Sequence, residues 1–297
     1  MNKPTTKPAL AKLAPATRPR EKPDMPAADL APGQTGQTGE SGDESAFGES
    51  LSTDALMGGK LLLRQPLDGY RAAIDPVLLA AAVPAKSDDR VLDAGTGAGA
   101  ALLCLAARVP GCRITGIEKD SNLVQLARSN VAENGFAARA EIVTGDIGNP
   151  PLAFERGAFD CVMMNPPFLE PARARAPTNE SRAAKSRAAA MVEDDAGLTQ
   201  WIGFARAMLR DRGWLTLIHR ADRIDDLMAA LNDGFGAIAV FPLWPAADRA
   251  AKRVIIRARK NAASPAALSP GLVLHGKDGK FTAEAQTILR DARALEF

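Results

Sequence analysis

The sequence is poor in the residues that build metal centres and disulfide frameworks. Among 297 residues there are three cysteines and two histidines, and the cysteines lack the paired spacing of a zinc site. We therefore expect no metal, and we interpret Cys104, Cys112 and Cys161 as reduced, buried thiols of an intracellular protein. A cytoplasmic location is the corresponding expectation.

Long apolar runs and a strong net charge are also missing. No apolar stretch approaches the roughly 18–20 residues that a membrane span requires. The basic residues near the N-terminus are not followed by the apolar region of a secretory signal, so no membrane partner is expected. Because the formal net charge is only +2, any contact with nucleic acid must rest on a local basic patch.

Composition divides the chain into a tail and one domain. Residues 1–54 are rich in Pro, Thr, Ala, Gly and Ser with almost no aliphatic periodicity, which predicts a disordered tail. Its basic residues precede its acidic ones, so a solvated tail and a basic arm that touches RNA are both possible interpretations. Residues 55–262 are predicted to form the main domain, and residues 263–297 a strand and helix that pack on it.

Beyond residue 60, short apolar runs alternate with segments of helical pattern. This alternation favours right-handed crossovers and a mostly parallel sheet that is covered on both faces. The predicted fold class is α/β, with a Rossmann-like, seven-stranded, doubly wound sheet in a monomeric protein. The strands predicted for this sheet are 90–93, 113–118, 140–143, 159–164, 214–218, 237–241 and 253–258.

A glycine-rich turn follows the first strand of this sheet. In open parallel sheets, ligands bind beyond the carboxyl ends of the strands, and glycines allow the backbone to approach them closely. The pattern also fits a dinucleotide fingerprint, so the turn alone leaves an NAD-type ligand open. Asp93 before Ala94-Gly95 favours S-adenosylmethionine (SAM), because Asp-x-Gly-x-Gly resembles methyltransferase motif I. The candidate cofactor residues of this turn are Asp93, Gly95, Thr96, Gly97 and Gly99.

Acidic residues follow the next two strands. Glu118, with Lys119 after it, closes the second strand, and a carboxylate there can accept both ribose hydroxyls. Asp146, with Ile147 after it, follows the third strand. It resembles the methyltransferase residue that accepts a hydrogen bond from the adenine amino group of SAM. The alternatives are a helix-start acid at Glu118 and an ordinary Gly-Asp turn at Asp146. Acids after successive strands favour a SAM site over either alternative.

The tetrapeptide Asn165-Pro166-Pro167-Phe168 directly follows the apolar run 161–164 and is the candidate catalytic site, and Asn165 is also a candidate cofactor residue. A conjugated amino nitrogen is a poor nucleophile, and two acceptors on its N–H bonds can turn its lone pair toward a methyl donor. The Asn165 side chain and the Pro166 carbonyl offer these acceptors, and the prolines stiffen the loop. Phe168 offers a face for stacking an unpaired base. The alternative is an ordinary Asn-Pro turn.

A basic segment follows Phe168, next to the proposed acceptor site. We interpret it as a substrate loop that binds RNA phosphates, and a solvated helical loop is the alternative. Its candidate RNA-binding residues are Arg173, Arg175, Arg182, Lys185 and Arg187.

Residues 61–260 resemble the bacterial tRNA1(Val) adenine-37 N6-methyltransferases, a family of class I SAM-dependent methyltransferases. Besides the motifs above, the resemblance rests on Gln65-Pro66, Gly69-Tyr70-Arg71 and the segment from Asp75 to Ala80. It implies the class I methyltransferase fold, SAM as cofactor, and methyl transfer to N6 of an adenine in RNA, of the tRNA position-37 type. It also implies that Arg71 and Asp75 lie against the cofactor.

Two other functions remain open. A release-factor-type glutamine N5-methyltransferase shares the Asn-Pro-Pro-aromatic sequence, but such enzymes have a helical N-terminal domain where this chain has its predicted tail. A non-catalytic RNA-binding protein that kept the methyltransferase fold is the second, because fold alone does not establish activity. Whether the purified protein binds SAM is a first discriminator, and mass spectrometry of nucleosides from tRNA of a deletion strain is the most useful single experiment.

Overall fold

The computed structural model describes residues 51–67, 71–152, 154–167 and 197–297. Within these residues the strands are β1 (Leu51–Leu56), β2 (Leu61–Pro66), β3 (Arg90–Ala94), β4 (Arg113–Glu118), β5 (Ala140–Thr144), β6 (Phe159–Met164), β7 (Leu209–Arg220), β8 (Phe235–Trp244), β9 (Arg253–Lys260), β10 (Ala267–Leu268) and β11 (Leu272–Val273). The helices are α1 (Asp75–Ala82), α2 (Ala100–Arg108), α3 (Ser121–Glu133), α4 (Leu198–Met208), α5 (Ile224–Leu231) and α6 (Ala283–Asp291).

The main sheet has the strand order β10-β8-β9-β7-β6-β3-β4-β5, and β11 also pairs with β8. The five strands from β7 to β5 in this order are mutually parallel, and β9 is antiparallel to both β7 and β8. The seven strands predicted for the sheet form its central part, and the two-residue strands β10 and β11 add to its β8 edge. The α/β class and the Rossmann-like, mostly parallel sheet are therefore confirmed.

Two apolar cores cover the two faces of the sheet. One contains buried residues of α1, α2 and α3, and the other contains buried residues of α4 and α5. Consecutive residues of β9 show the alternation expected for a strand, because Ile255 belongs to the first core and Ile256 to the second. This is the doubly wound arrangement, and it leaves the carboxyl edge of the parallel strands for the turns that carry the candidate site.

The structure corrects several element boundaries. The first strand begins at Leu51, inside the segment predicted as a tail up to residue 54, because β1 pairs along its length with β2 in an antiparallel hairpin. From the sequence, Asp75 before Pro76 predicts a helix N-cap at Asp75, whereas in the structure Ile74 is the N-cap of α1 and Asp75 is its first helical residue. The strand predicted at 214–218 extends over Leu209–Arg220, because β6 and β9 pair with it on both sides.

The last residues of the chain contact the main domain. Leu295 is buried, and its N–H donates to the Ala81 carbonyl at 2.8 Å. The Phe297 ring lies 5.0 Å from the Phe241 ring, and the Arg257 guanidinium lies 3.8 Å from the centre of the Phe297 ring. These contacts anchor the segment after α6 against α1 and the sheet.

The three cysteines are buried and form no disulfide, and burial raises the pKa of Cys104 and of Cys161 to about 12. In the described part of the chain, no helix has the length and apolar character needed to cross a membrane. Nor do the described Cys, His, Asp and Glu side chains form a cluster of three or more that could hold a metal ion.

Candidate active site

The predicted turns meet at one edge of the sheet because their strands are parallel and aligned. Ala94 at the end of β3 pairs with Ile117 of β4 and with Met164 of β6, and Ile117 pairs with Val143 of β5. The residues that follow these strands are the glycine turn, Glu118, the Gly145-Asp146 turn and Asn165. The two acids and the acceptor turn therefore flank the glycine turn on either side.

The three glycines of the turn have positive φ angles but different surroundings. A Cβ placed on Gly95 would lie 2.5 Å from Cη2 of Trp201, so this glycine makes room for the α4 indole. Gly99 is the N-cap of α2, and its Cβ would contact Ala127 at 3.5 Å. A Cβ on Gly97 (φ +56°) would meet nothing within 4 Å, so Gly97 faces open space. Of the three, Gly97 therefore has the space that a ligand would use.

Asp93 is buried beneath the turn. The Thr96 hydroxyl donates a 2.6 Å hydrogen bond to its Oδ2. Burial, with a smaller contribution from the nearby Glu118 charge, raises the pKa of Asp93 to about 7, although the Thr96 hydrogen bond opposes the shift. The ionised carboxylate is thus destabilised at this position, and a bound cation would stabilise it.

Glu118 ties the end of β4 to the glycine turn. Its Oε1 accepts the backbone N–H groups of Lys119 and Asp120 at 2.9 and 3.0 Å, and its Oε2 accepts the Gly97 N–H at 3.0 Å. These bonds fix the carboxylate beside the open space at Gly97. Each carboxylate oxygen has two lone pairs, so the side chain retains acceptor capacity for ligand hydroxyls.

The acidic turn after β5 is held by its own backbone. Asp146 Oδ1 accepts the Gly148 N–H at 2.7 Å, and the Asp146 carbonyl accepts the Asn149 N–H at 3.1 Å. Ile147 is half-buried against the core under α4 and α5. A Cβ on Gly148 would lie 2.5 Å from Nε2 of Gln200, so α4 also reaches this turn.

The contacts of Trp201 and Gln200 were not predicted from the sequence. Both residues lie in the first turn of α4, which touches the glycine turn through Trp201 and the acidic turn through Gln200. The sequence of α4 shows an amphipathic helix and no motif, so its apolar periodicity could have placed Trp201 in the core but not against Gly95.

Arg71 and Asp75 are engaged with other protein groups. Arg71 Nη2 donates to Asp54 Oδ2 at 2.7 Å, and Gln65 Nε2 donates to the same oxygen at 2.7 Å. Asp75 Oδ2 accepts from Arg253 Nε at 3.1 Å. Both residues therefore stabilise the segment before α1 through ion pairs, and their contact with the cofactor stays a prediction.

Asn165 follows β6 with no intervening residue. Asn165 and Pro167 are half-buried and Pro166 is buried, whereas Phe168 lies outside the described residues. Met164 pairs with Leu217, so the acceptor turn begins beside the end of β7. There, burial, together with the charges of Arg223, Arg253 and Arg220, lowers the pKa of His219 to about 4, which keeps this imidazole neutral at pH 7.

A second Asn-Pro-Pro sequence, Asn149-Pro150-Pro151-Leu152, lies after the acidic turn. Its asparagine and leucine are exposed, and a Cβ on Gly145 would lie 2.7 Å from Pro151 Cδ. The five basic residues predicted to bind RNA, Arg173, Arg175, Arg182, Lys185 and Arg187, lie outside the described residues, like Phe168.

Comparisons with known proteins agree with this geometry. Residues 73–193 match the family model of the Methyltransferase small domain. The tRNA1(Val) (adenine(37)-N6)-methyltransferase of Shewanella sp. strain MR-7 is 27% identical over 226 residues, which are 75% of this chain and 92% of that protein. The protein of the same name from Porphyromonas gingivalis strain ATCC 33277 is 37% identical over 163 residues, 53% of this chain and 61% of that protein.

A release factor glutamine methyltransferase of Chlorobaculum tepidum is 28% identical over 174 residues, 58% of this chain and 59% of that protein. The crystal structure of a predicted O-methyltransferase from Agrobacterium tumefaciens aligns with a TM-score of 0.62 and 25% identity, covering 75% of this chain and 98% of that one. The predicted resemblance to class I methyltransferases is thereby confirmed, as are the fold and SAM as the cofactor.

Proposed function

We propose that this SAM-dependent methyltransferase transfers a methyl group to the exocyclic N6 of an adenine in RNA, specifically in the anticodon loop of a tRNA. The observation that carries the proposal is the place of Asn165-Pro166, directly after β6 and next to the glycine turn of β3. The relatives named for methylation of adenine 37 in tRNA1(Val) support the choice of substrate.

The residues around the glycine turn fit SAM. Its positively charged amino group would stabilise the Asp93 carboxylate, whose pKa is raised by burial. The open space at Gly97 would admit the ligand beside Glu118, which we assign to the ribose hydroxyls, and Asp146 would accept from the amino group of the adenine in SAM. When bound, SAM supplies an electrophilic methyl group on a positively charged sulfur.

The acceptor turn orients the target nitrogen. The Asn165 side-chain carbonyl and the Pro166 carbonyl accept hydrogen bonds from the two N–H groups of the target adenine in the RNA. The prolines hold these acceptors in place before reaction. The nitrogen becomes strongly acidic on methylation and releases a proton to water. This chemistry requires no general base, and the buried His219 would be a weak one because burial lowers its pKa to about 4.

The RNA itself is proposed to contact the basic segment after Phe168, which stays a prediction because that segment lies outside the described residues. A cytoplasmic monomer likewise stays a prediction.

A second candidate is methylation of a glutamine amide in a release factor. It is favoured by the 28% identical glutamine methyltransferase and by the similar chemistry of an amide nitrogen held by an Asn-Pro-Pro turn. Mass spectrometry of tRNA nucleosides from a strain that lacks the protein separates the two functions. We expect loss of N6-methyladenosine from tRNA. Unchanged tRNA together with an unmethylated release-factor glutamine would overturn the proposal in favour of the second candidate.

A further inference from the structure

Within the described residues, the hairpin formed by β1 and β2 pairs with no strand of the main sheet. Instead, the free edge of β2 is hydrogen-bonded by two asparagine side chains of α3. Arg64 donates its N–H to Asn130 Oδ1 at 2.9 Å and accepts from Asn130 Nδ2 at 2.8 Å. Leu62 makes the same two bonds with Asn134, at 3.0 and 2.7 Å.

The geometry of helix and strand explains this match. Four residues of an α-helix advance by about 6 Å, and two residues of a strand advance by about 6.7 Å. Asparagines four positions apart on α3 therefore face alternate residues of β2. Each amide gives β2 one acceptor and one of its two N–H donors, as a residue of a neighbouring strand would. Helix α3 thus takes the place of a strand along this edge.

The two asparagines differ in the second N–H of their amide groups. Asn130 donates its second N–H to the carbonyl of Ala98 at 2.8 Å, in the glycine turn. Asn134 donates its second N–H to the Asn130 carbonyl of its own helix, also at 2.8 Å. Asn130 is 0% exposed, whereas Asn134 is half-buried. Only the first of the two thus connects the hairpin with the glycine turn.

We propose that Asn130 is a positioning residue of the cofactor site, and that through it the hairpin Leu51–Pro66 becomes part of that site. The inference rests on the proposed binding of SAM at the glycine turn. The Ala98–Gly99 peptide leads into Gly99, a glycine of positive φ, and a glycine places little steric restraint on rotation of the peptide before it. Asn130 holds its oxygen, and the Gly99 N–H donates to the Thr96 carbonyl at 2.9 Å.

Loss of the Asn130 side chain removes the hydrogen bonds that it makes to three backbone groups: the Ala98 oxygen and the N–H and oxygen of Arg64. Rotation of the Ala98–Gly99 peptide would then change the backbone that faces the ligand at Gly97. Loss of the Asn134 side chain frees the Leu62 groups but leaves the glycine turn held. The two residues therefore form a matched pair, one helical turn apart.

The first experiment compares Asn130→Ala with Asn134→Ala by calorimetric titration of the full chain with SAM, after urea unfolding has shown that each variant is folded. We expect Asn130→Ala to weaken SAM binding about tenfold, as the loss of a buried partner predicts. Asn134→Ala should keep its SAM affinity within about twofold of wild type, although both variants unfold at lower urea. At saturating SAM, Asn130→Ala should keep its kcat while its KM for SAM rises.

The second measurement uses the unaltered protein and decides the matter if Asn130→Ala does not fold. In native-state hydrogen exchange, SAM should slow exchange of the Arg64 amide, which bonds Asn130, more than that of the Leu62 amide, which bonds Asn134, because coupling between two sites is reciprocal. Equal effects at both amides, or equal SAM affinities in the two alanine variants, would overturn the inference. A wild-type protein that binds no SAM would instead refute the proposed function.

Discussion

Two segments of this chain share the sequence Asn-Pro-Pro followed by an apolar residue, and they differ in what surrounds them. Asn149-Pro150-Pro151-Leu152 follows a turn after the edge strand β5, and its asparagine is exposed. Asn165-Pro166-Pro167-Phe168 follows β6 directly, between β3 and β7, and its first proline is buried. The local stiffness that prolines provide is common to both. We therefore expect the position of the motif in the sheet, next to the glycine turn, to decide which of the two segments acts as the acceptor site.

The largest expected effect distinguishes Asn165 from Asn149. Asn165→Ala should lower the rate of methyl transfer about 10²–10³-fold, as expected when one preorganised transition-state contact is lost. Its SAM affinity should stay near that of wild type, because Asn165 is aimed at the acceptor. Asn149→Ala is the matched control and should react at the wild-type rate. Single-turnover assays with labelled SAM measure both, and near wild-type turnover of Asn165→Ala would remove the mechanism.

A smaller effect tests whether the Asn165-Pro166-Pro167 turn owes its role to the cofactor beside it. Glu118→Ala should weaken SAM binding by about 1–3 kcal/mol, because a charged acceptor fixed by three N–H groups is lost. Glu141→Ala is the control, since Glu141 is exposed on β5 and accepts from the Thr115 hydroxyl. Calorimetry that finds tight NAD binding and no SAM binding to the wild-type protein would contradict this assignment.

The smallest effect concerns Asp93 and its pH dependence. Its pKa is raised from 3.8 to about 7 in the folded protein, so its contribution to stability is present below pH 3.8 and is lost as the pH rises to about 7. Asp93→Asn removes this loss. Without SAM, the variant should therefore exceed wild type in free energy of unfolding at pH 8, and by a smaller margin at pH 5.

The same variant should bind SAM more weakly, because it cannot offer a carboxylate to the amino group. Urea unfolding at both pH values and calorimetry with SAM measure the two effects. An Asp93→Asn protein that is less stable than wild type at pH 8 would show that the buried carboxylate is stabilised by its surroundings.

The sequence predicts the parallel sheet and the order of its turns because these depend on local apolar runs and on the residues that directly follow them. Parallel alignment then brings Glu118 and Asn165 to the same edge as the glycine turn. Contacts between distant segments were not predictable in this way. Arg71 and Asp75 carry no sequence signal for their partners Asp54 and Arg253, and the second pair is 178 residues apart.

The contact of Trp201 with Gly95 and the hydrogen bonds of Asn130 were not predictable for the same reason. Each depends on how a helix packs over a turn that lies elsewhere in the sequence. The strand Leu51–Leu56 was missed because half of its residues are polar, and its conformation depends on pairing with β2. Local pattern therefore identified which turns form the candidate site, but not the residues that support them.

Methyl transfer to N6 of an adenine in tRNA is tested most directly by identifying the product formed in vitro. Purified protein would be incubated with SAM that carries an isotopically labelled methyl group, with tRNA from a strain that lacks the protein, and with a release factor. Mass spectrometry would then examine the nucleosides and the peptides. We expect labelled N6-methyladenosine with the wild-type protein and with Asn149→Ala, and almost none with Asn165→Ala. Label found only in a release-factor glutamine, or no transfer to tRNA although SAM is bound, would contradict this expectation.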